Sequence, residues 1–358
     1  MSYGTINADV IGTSVANSSL GAGNSSAMKN RIINGDFRID QRNAGASVTP
    51  TASGYTLDRW RAGVSVTSKF SVQQNAGSVT PPNGFINYLG VTSLSAYTVG
   101  ASEQFNIGQR IEGYNVADLA WGTANAKTVT LSFWVYSSLT GAFGGAIRND
   151  AGNRSYPFSY TISSANTWEQ KTITVVGDTT GTWVTSNGTG VQIIFSLGSG
   201  STLSGTAGAW SAGNYVSATG ATSVVGTNGA TFYLTGVQLE VGSSATGFEY
   251  RQYQQELALC QRYYQKLSNF DYVSAFCFST NRVLSGIPYT SPMRTAPTAT
   301  AASNSFVFYL ANAAYFSSAV SAVPNSTGFV ALDVTVAASA GASGIGSVQS
   351  GIQLSAEL

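Results

Sequence analysis

Apolar and polar side chains alternate with a period of two along most of this chain, in runs of strand length. The clearest run is 128–137, where Val129, Leu131, Phe133 and Val135 point one way and Thr130, Ser132, Trp134 and Tyr136 the other. Aromatic weight on both faces predicts a central strand. Phe85, Asn87, Leu89 and Val91 share a face, as do Phe105, Ile107, Gln109 and Ile111, and Trp60 opens a run with Val64 and Val66. Later strands are predicted at 171–176, 191–197 and 231–241, the last shifting phase near Gly236 as a bulge does. Residues 30–42, NRIINGDFRIDQR, carry an apolar pair, an Asn-Gly turn signal and an alternation through Phe37 and Ile39. Turn clusters NDAGN, SNGTG and TNGA separate the later strands. Many short strands with no helical pattern between them predict an all-β fold, an antiparallel jelly-roll β-sandwich.

One stretch breaks the pattern. Residues 249–267, EYRQYQQELALCQRYYQKL, place Tyr250, Tyr253, Leu257, Cys260, Tyr264 and Leu267 at alternating spacings of three and four, the a/d pattern of a coiled-coil seam. At about 1.5 Å per residue the predicted helix spans roughly 28 Å and needs a packed face to persist. That face either docks on the chain's own sheet or forms a seam shared by identical chains around an axis.

Alternation resumes at 272–278, 305–310 and 328–336, with the Pro-broken SPMRTAPT between the first two. The predicted organisation is an arm at 1–28, a jelly-roll domain at 29–248, a connecting helix at 249–267 and a small β domain at 268–358. The arm has Asp9 as its only charge and too little apolar surface to fold by itself. It reads as an attachment segment that orders on a partner, or as simple disorder.

Composition narrows the chemistry. Hydrophobic residues make up 43%, enough for a real core, while charged residues are only 9% and net charge is +1. That balance gives no basic field for nucleic acid or an acidic membrane. No apolar run is long enough to span a bilayer and no secretory signal pattern opens the chain, so a soluble product made in the cytoplasm is expected. Histidine is absent, which excludes Ser-His-Asp and Cys-His nucleophilic systems and imidazole metal sites. The acids are scattered, with no glycosidase-like pair readable, and the Gly-rich stretches lack the Lys of a phosphate loop. The expectation is a non-enzyme without a cofactor. Cys260 and Cys277 have no metal-ligand spacing and read as two buried thiols, with one disulfide as the alternative.

The motifs KNRIINGDFRIDQRNAG, GYTLDRW, FYLTGVQLEVGSSATGFEYR, ELALCQRYYQK and PMRTAPT, in this order, resemble a family of bacteriophage virion proteins known as tail fibre, minor tail or carbohydrate-binding-like proteins. The resemblance implies a jelly roll like a carbohydrate-binding module, then the helix and a distal β domain, in a homotrimer. It leaves two readings open. One is a tail fibre or receptor-binding protein attaching to a neutral host-surface glycan. The other is a non-adhesive virion part: a capsid decoration, a head fibre or a fibre-to-tail adaptor. Either places the chain in the virion, joined to other virion proteins through the arm.

Candidate residues follow from these readings. No charged side chain lies between Asp178 and Glu240, a stretch able to lie on a neutral glycan or on copies of itself without desolvating charge. Within it Trp210 and Tyr215 flank Asn214, two rings and an amide suited to sugar faces and hydroxyls. The competing reading is that Trp210 plugs the open end of the sandwich or packs on a neighbouring subunit. Tyr309, Tyr315 and Phe316 give the distal domain its own claim. The trimer seam would comprise Tyr250, Tyr253, Leu257, Cys260, Tyr264 and Leu267. Jelly rolls of the carbohydrate-binding type often hold structural calcium near the ends of their first and last strands, where Asp36 and Glu240 fall here; ordinary surface acids are the competing reading.

Overall fold

The structure, a computed structural model, describes residues 28–267, 270–279, 282–301, 304–310, 313–323, 329–335, 342–348 and 351–358. The predicted arm, apart from Met28, lies outside them. Two antiparallel sheets form a sandwich. The first has six strands in the order Gly54–Leu57, Trp60–Val64, Gln104–Glu112, Thr189–Ser199, Gly141–Arg148 and Ser155–Ile162. The second has five: Phe70–Gln74, Leu89–Ser93, Thr231–Val241, Val129–Ser137 and Glu169–Val175. Their facing apolar positions close one core, with Phe133 of the second sheet edge-on to Phe195 of the first at 4.9 Å and Phe143 stacked on Phe232 at 5.9 Å. The jelly-roll class expected from alternation is the observed one.

The predicted bulge is present. Register shifts between Thr235 and Gln238 in the Thr231–Val241 strand, and Gly236 takes φ 60°. Its cause is the segment after Met28, which inserts there: Arg31 N–H bonds the Leu239 carbonyl at 2.9 Å and Val237 N–H bonds the Gly35 carbonyl at 2.9 Å.

Three local expectations are corrected. Residues 30–42 form no strand, because side chains satisfy their backbone: Gln109 bonds both N–H and C=O of Ile33, at 2.9 and 2.8 Å, and the Glu249 and Glu256 carboxylates accept from Asn30 and Asn34 N–H. Asn34 and Phe37 sit at positive φ, which a ladder does not accommodate. The run expected from Phe85 begins only at Leu89, since Phe85 instead packs edge-on against Phe248 and tilted against Tyr250 at 5.1 and 5.6 Å.

The third correction is the helix, which covers Tyr253–Gln261 only. Tyr264–Leu267 is a strand paired with Ile352–Ser355. Aromatic burial overrides helix propensity there: Tyr263 lies under the Arg59 guanidinium at 3.6 Å and Tyr264 under that of Arg42 at 3.7 Å. The a/d set is thereby split. Tyr250 and Tyr253 are exposed; Leu257 is half-buried and Cys260 buried in a cluster with Ile33, Ile39 and Tyr263; Tyr264 and Leu267 are buried in the strand. The helix docks on its own chain, and both cysteines are buried free thiols.

The second β region is smaller. Tyr264–Leu267, Ile352–Ser355 and Thr298–Thr300 form a three-stranded sheet. A seven-stranded sheet runs in the order Ala313–Phe316, Phe306–Leu310, Ala342–Val348, Phe270–Ser279, Arg282–Pro288, Phe329–Thr335 and Ala319–Val323. Cys277, Val283, Phe306, Phe308 and Val348 bury one of its faces with Ile352 and Leu354, while Phe276, Leu284, Tyr309 and Ile345 are exposed. Among the described residues no helix is long and apolar enough to cross a membrane.

Candidate functional site

Strand alternation decides what the outer face of the six-stranded sheet shows. Trp60, Ala62, Phe105, Ile107, Ile111, Val191, Ile193 and Phe195 point into the core. The intervening positions, Arg61, Gln104, Asn106, Gly108, Arg110, Gln192 and Ile194, therefore point out, and with Arg148 they line a groove. Register fixes its layout. Gln192 is the cross-strand partner of Arg110 on one side and Arg148 on the other, so the three form one row across adjacent strands. One row along, Arg61 pairs with Gly108 and Gly108 with Ile194. Gly108 has no side chain to fill the space between these residues, and a Cβ there would collide with the Ile193 carbonyl.

The floor is polar and held. Asn106, Gln192 and Ile194 are about 5% exposed. Gln192 accepts from Arg148 Nε and Nη2 at 3.2 and 3.1 Å and donates to Asp150 at 3.3 Å, and Asn106 donates to Gln104 at 3.0 Å. Arg59 donates to the Arg110 carbonyl from behind the strand. The guanidiniums repel one another. Burial first, then Arg110 and Arg61, pull Arg148 down to about 10, and Arg61 is lowered by burial and Arg110. The lining contains neither an aromatic ring nor a carboxylate.

The predicted glycan residues separate. Trp210 joins Trp121 and Trp183 in an edge-to-face triad at 4.8, 5.3 and 5.4 Å, half-buried, with Nε1 donating to the Val176 carbonyl at 2.7 Å. Tyr215 packs over Gly205 and Gly213. Only Asn214 reaches the groove, where its Oδ1 accepts from Arg148 Nη1. In the distal sheet Tyr309 and Phe316 are exposed and Tyr315 is half-buried.

Asp36 and Glu240 do not fit a calcium site. Arg38 Nε bonds Asp36 at 2.6 Å. Glu240 accepts from Gln238 at 2.9 Å and from Thr246 N–H and Oγ1 at 2.8 and 2.6 Å. Calcium needs six to eight oxygens around it; these carboxylates face donors. Among the described residues no three His, Cys, Asp or Glu side chains gather as a metal-binding group.

The groove was legible in part. Gln, Asn, Gly and Arg at 104, 106, 108 and 110 are the other half of the alternation that gave Phe105, Ile107 and Ile111. Arg148 lies on a Gly- and Ala-rich strand with little apolar pattern.

No protein-family model and no curated protein matches the sequence. Solved structures do show similarity. A putative sugar binding protein from Bacteroides thetaiotaomicron gives a TM-score of 0.35 at 12% identity over 60% of this chain and 100% of its own. The family 11 carbohydrate-binding module from Clostridium thermocellum, in complex with a β-1,3-1,4-mixed-linked tetrasaccharide, gives 0.27 at 13% over 54% and 93%. The enzymatically active domain of bacteriophage CBA120 tailspike protein 4 gives 0.30 at 12% over 60% of this chain and 22% of that one, so the match spans about a fifth of that domain's length. At such scores the fold stands on the strand layout described above.

Proposed function

We propose that this chain is a non-enzymatic bacteriophage tail fibre or receptor-binding protein whose sandwich holds a host-surface glycan in the groove of the six-stranded sheet. The observation that carries the reading is the groove itself: amide side chains Gln104, Asn106 and Gln192 on adjacent paired strands line it, held by hydrogen bonds to one another, Arg148 and Asp150, and their remaining donor and acceptor capacity suits sugar hydroxyls. Lacking a ring in its lining, it holds sugar by hydrogen bonds rather than by stacking. Lacking a carboxylate pair, it has no acid and base for glycoside cleavage. The virion assignment rests on the five-motif resemblance to phage tail proteins. Asn106→Ala should weaken binding on an oligosaccharide array and reduce adsorption of phage to host cells, while Trp210→Ala leaves array binding intact once folding is controlled for. Array binding indifferent to Asn106 would move the site elsewhere.

A homotrimer belongs to the same proposal, and one observation also favours the structural reading: the exposed apolar face of the distal sheet, with Phe276 and Leu284 cross-strand partners, suits packing against copies of the chain. Light scattering of the purified chain tests this, a monomer at micromolar concentration excluding the trimer. Phe276→Asp should dissociate it, whereas Leu257→Asp, which strikes an intrachain cluster, should lower the melting temperature instead.

A further inference from the structure

Twelve arginines lie in the described residues, and eight of them are neutralised. Arg31, Arg38, Arg42, Arg59, Arg154, Arg251, Arg262 and Arg282 each pair with a carboxylate. Arg294 is taken up by the Asn187, Ala356 and Glu357 carbonyls, each at 2.8 Å. Arg61, Arg110 and Arg148 are left without an ion pair among the described residues, and they share one groove. The chain has about as many acids as bases, so grouping these three unpaired arginines on one face is a local arrangement and not a consequence of net charge. It also works against stability: half-buried like charges repel, and burial first, then the neighbouring Arg110 and Arg61, pulls Arg148 down in pKa, with Asp150 opposing in part. Clustered like charges of this kind mark sites where a ligand supplies the counter-charge.

We propose that the groove takes a saccharide bearing an anionic substituent, a carboxylate or phosphate seated between Arg110, Arg148 and Arg61, with the sugar hydroxyls on Asn106 and Gln104. This rests on the glycan reading above and replaces the neutral ligand expected from low overall charge. Arg110 and Arg148 stand one strand apart on either side of Gln192, about 10 Å between backbones, and long guanidinium arms close that distance onto one anion. Guanidinium forks match carboxylate and phosphate oxygens in pairs. Gly108 leaves the room, and the backing hydrogen bond from Arg59 to the Arg110 carbonyl holds the strand in place. Partial desolvation of the floor keeps the attraction from being screened as it is at an open surface.

The test is an array of matched oligosaccharides: oligogalacturonate against oligogalactose for the carboxylate, and phosphorylated against plain oligomannose for the phosphate. Wild type, Arg110→Gln, Arg148→Gln and Asn106→Ala are compared, with melting temperatures confirming that each variant is folded. Expected is binding to an acidic member and at least tenfold weaker binding to its neutral match. Each arginine variant should lose about tenfold or more in affinity for the acidic member, and raising sodium chloride should weaken wild-type binding. The two acidic arms tell carboxylate from phosphate. Equal binding of acidic and neutral members, unmoved by the arginine substitutions and sensitive to Asn106→Ala, overturns the anionic ligand and leaves the glycan groove standing. Binding to no array member overturns both.

Discussion

Arg59 and Glu357, 298 residues apart in sequence, form a buried ion pair where the sandwich meets the chain's C-terminus. Arg42 reaches the other Glu357 oxygen at 2.7 Å, Tyr55 Oη donates to the Leu358 carbonyl at 2.9 Å, and Arg294 ties the same tail to Asn187 of the sandwich. Beside it Glu112 accepts from Arg262 at 2.6 and 2.9 Å and from Tyr263 at 2.7 Å. The motifs KNRIINGDFRIDQR, GYTLDRW, ELALCQRYYQK and PMRTAPT thus supply one charged junction between the two β regions. Glu357→Ala leaves Arg59 charged and without its carboxylate at 1% exposure. Breaking a buried pair from one side costs about 3–5 kcal/mol, so chemical denaturation should show a loss of that order. A change within a few tenths of a kcal/mol would mean the junction is held without this pair.

Asp58 of the same junction is fully buried, and burial pushes its carboxyl up to about 6 against the opposing pull of Arg42 and the Gln41 donors. An acid whose folded pKa lies above its unfolded value binds its proton more tightly in the folded state. Its contribution to stability is therefore most favourable below the ordinary 3.8 and is lost as pH rises through about 6. Asp58→Asn removes this titration. Relative to wild type the variant should gain on the order of 2 kcal/mol between pH 4 and 7. Denaturation midpoints at those two pH values give the answer, and parallel curves would refute it.

How far these features could be read in advance depends on which force decides each one. The sandwich was legible because a half-buried strand needs alternation, and Val129 to Val135 or Phe105 to Ile111 show it without ambiguity. Residues 249–267 misled because Tyr264 and Leu267 continue the a/d spacing, yet the rings of Tyr263 and Tyr264 are taken by Arg59 and Arg42, side chains some two hundred positions away. The segment at 30–42 failed for the same reason. Its backbone partners are Gln109, Glu249 and Glu256, and local pattern carries no trace of them. Trp210 and Tyr215 stood out by composition alone, whereas Arg61, Arg110 and Arg148 meet only once strand order places Trp60–Val64, Gln104–Glu112, Thr189–Ser199 and Gly141–Arg148 side by side.

Trp210 should prove structural. Its ring closes the triad with Trp121 and Trp183 and also meets Tyr156 at 5.4 Å. Replacing a well-packed Trp by Ala costs about 3–5 kcal/mol when buried, and half-burial lowers the expectation for Trp210→Ala to roughly half of that. Thermal unfolding measures it. An unchanged transition together with lost host adsorption would instead restore the ring as a binding surface.

Gln192 offers the sharpest separation of stability from binding. It lies in the row between Arg110 and Arg148, is 5% exposed, and already accepts from Arg148 Nε and Nη2. Gln192→Glu is nearly isosteric and puts a carboxylate at the middle of the repelling guanidiniums. Charge-assisted hydrogen bonds contribute about 1.5–3 kcal/mol. The amide also gives up its 3.3 Å hydrogen bond to Asp150, where two carboxylates would then face each other, so Gln192→Glu is made together with Asp150→Asn. The double variant should be more stable than wild type by about 1–2 kcal/mol. The same carboxylate occupies the place proposed for the ligand's anion, so affinity for an acidic oligosaccharide should fall sharply as the melting temperature rises. Opposite movement of the two readouts is the signature of a cation cluster kept unpaired for a ligand. A destabilised double variant would mean that the Arg148 hydrogen bonds depend on the neutral amide and that the guanidiniums are not short of a counter-charge.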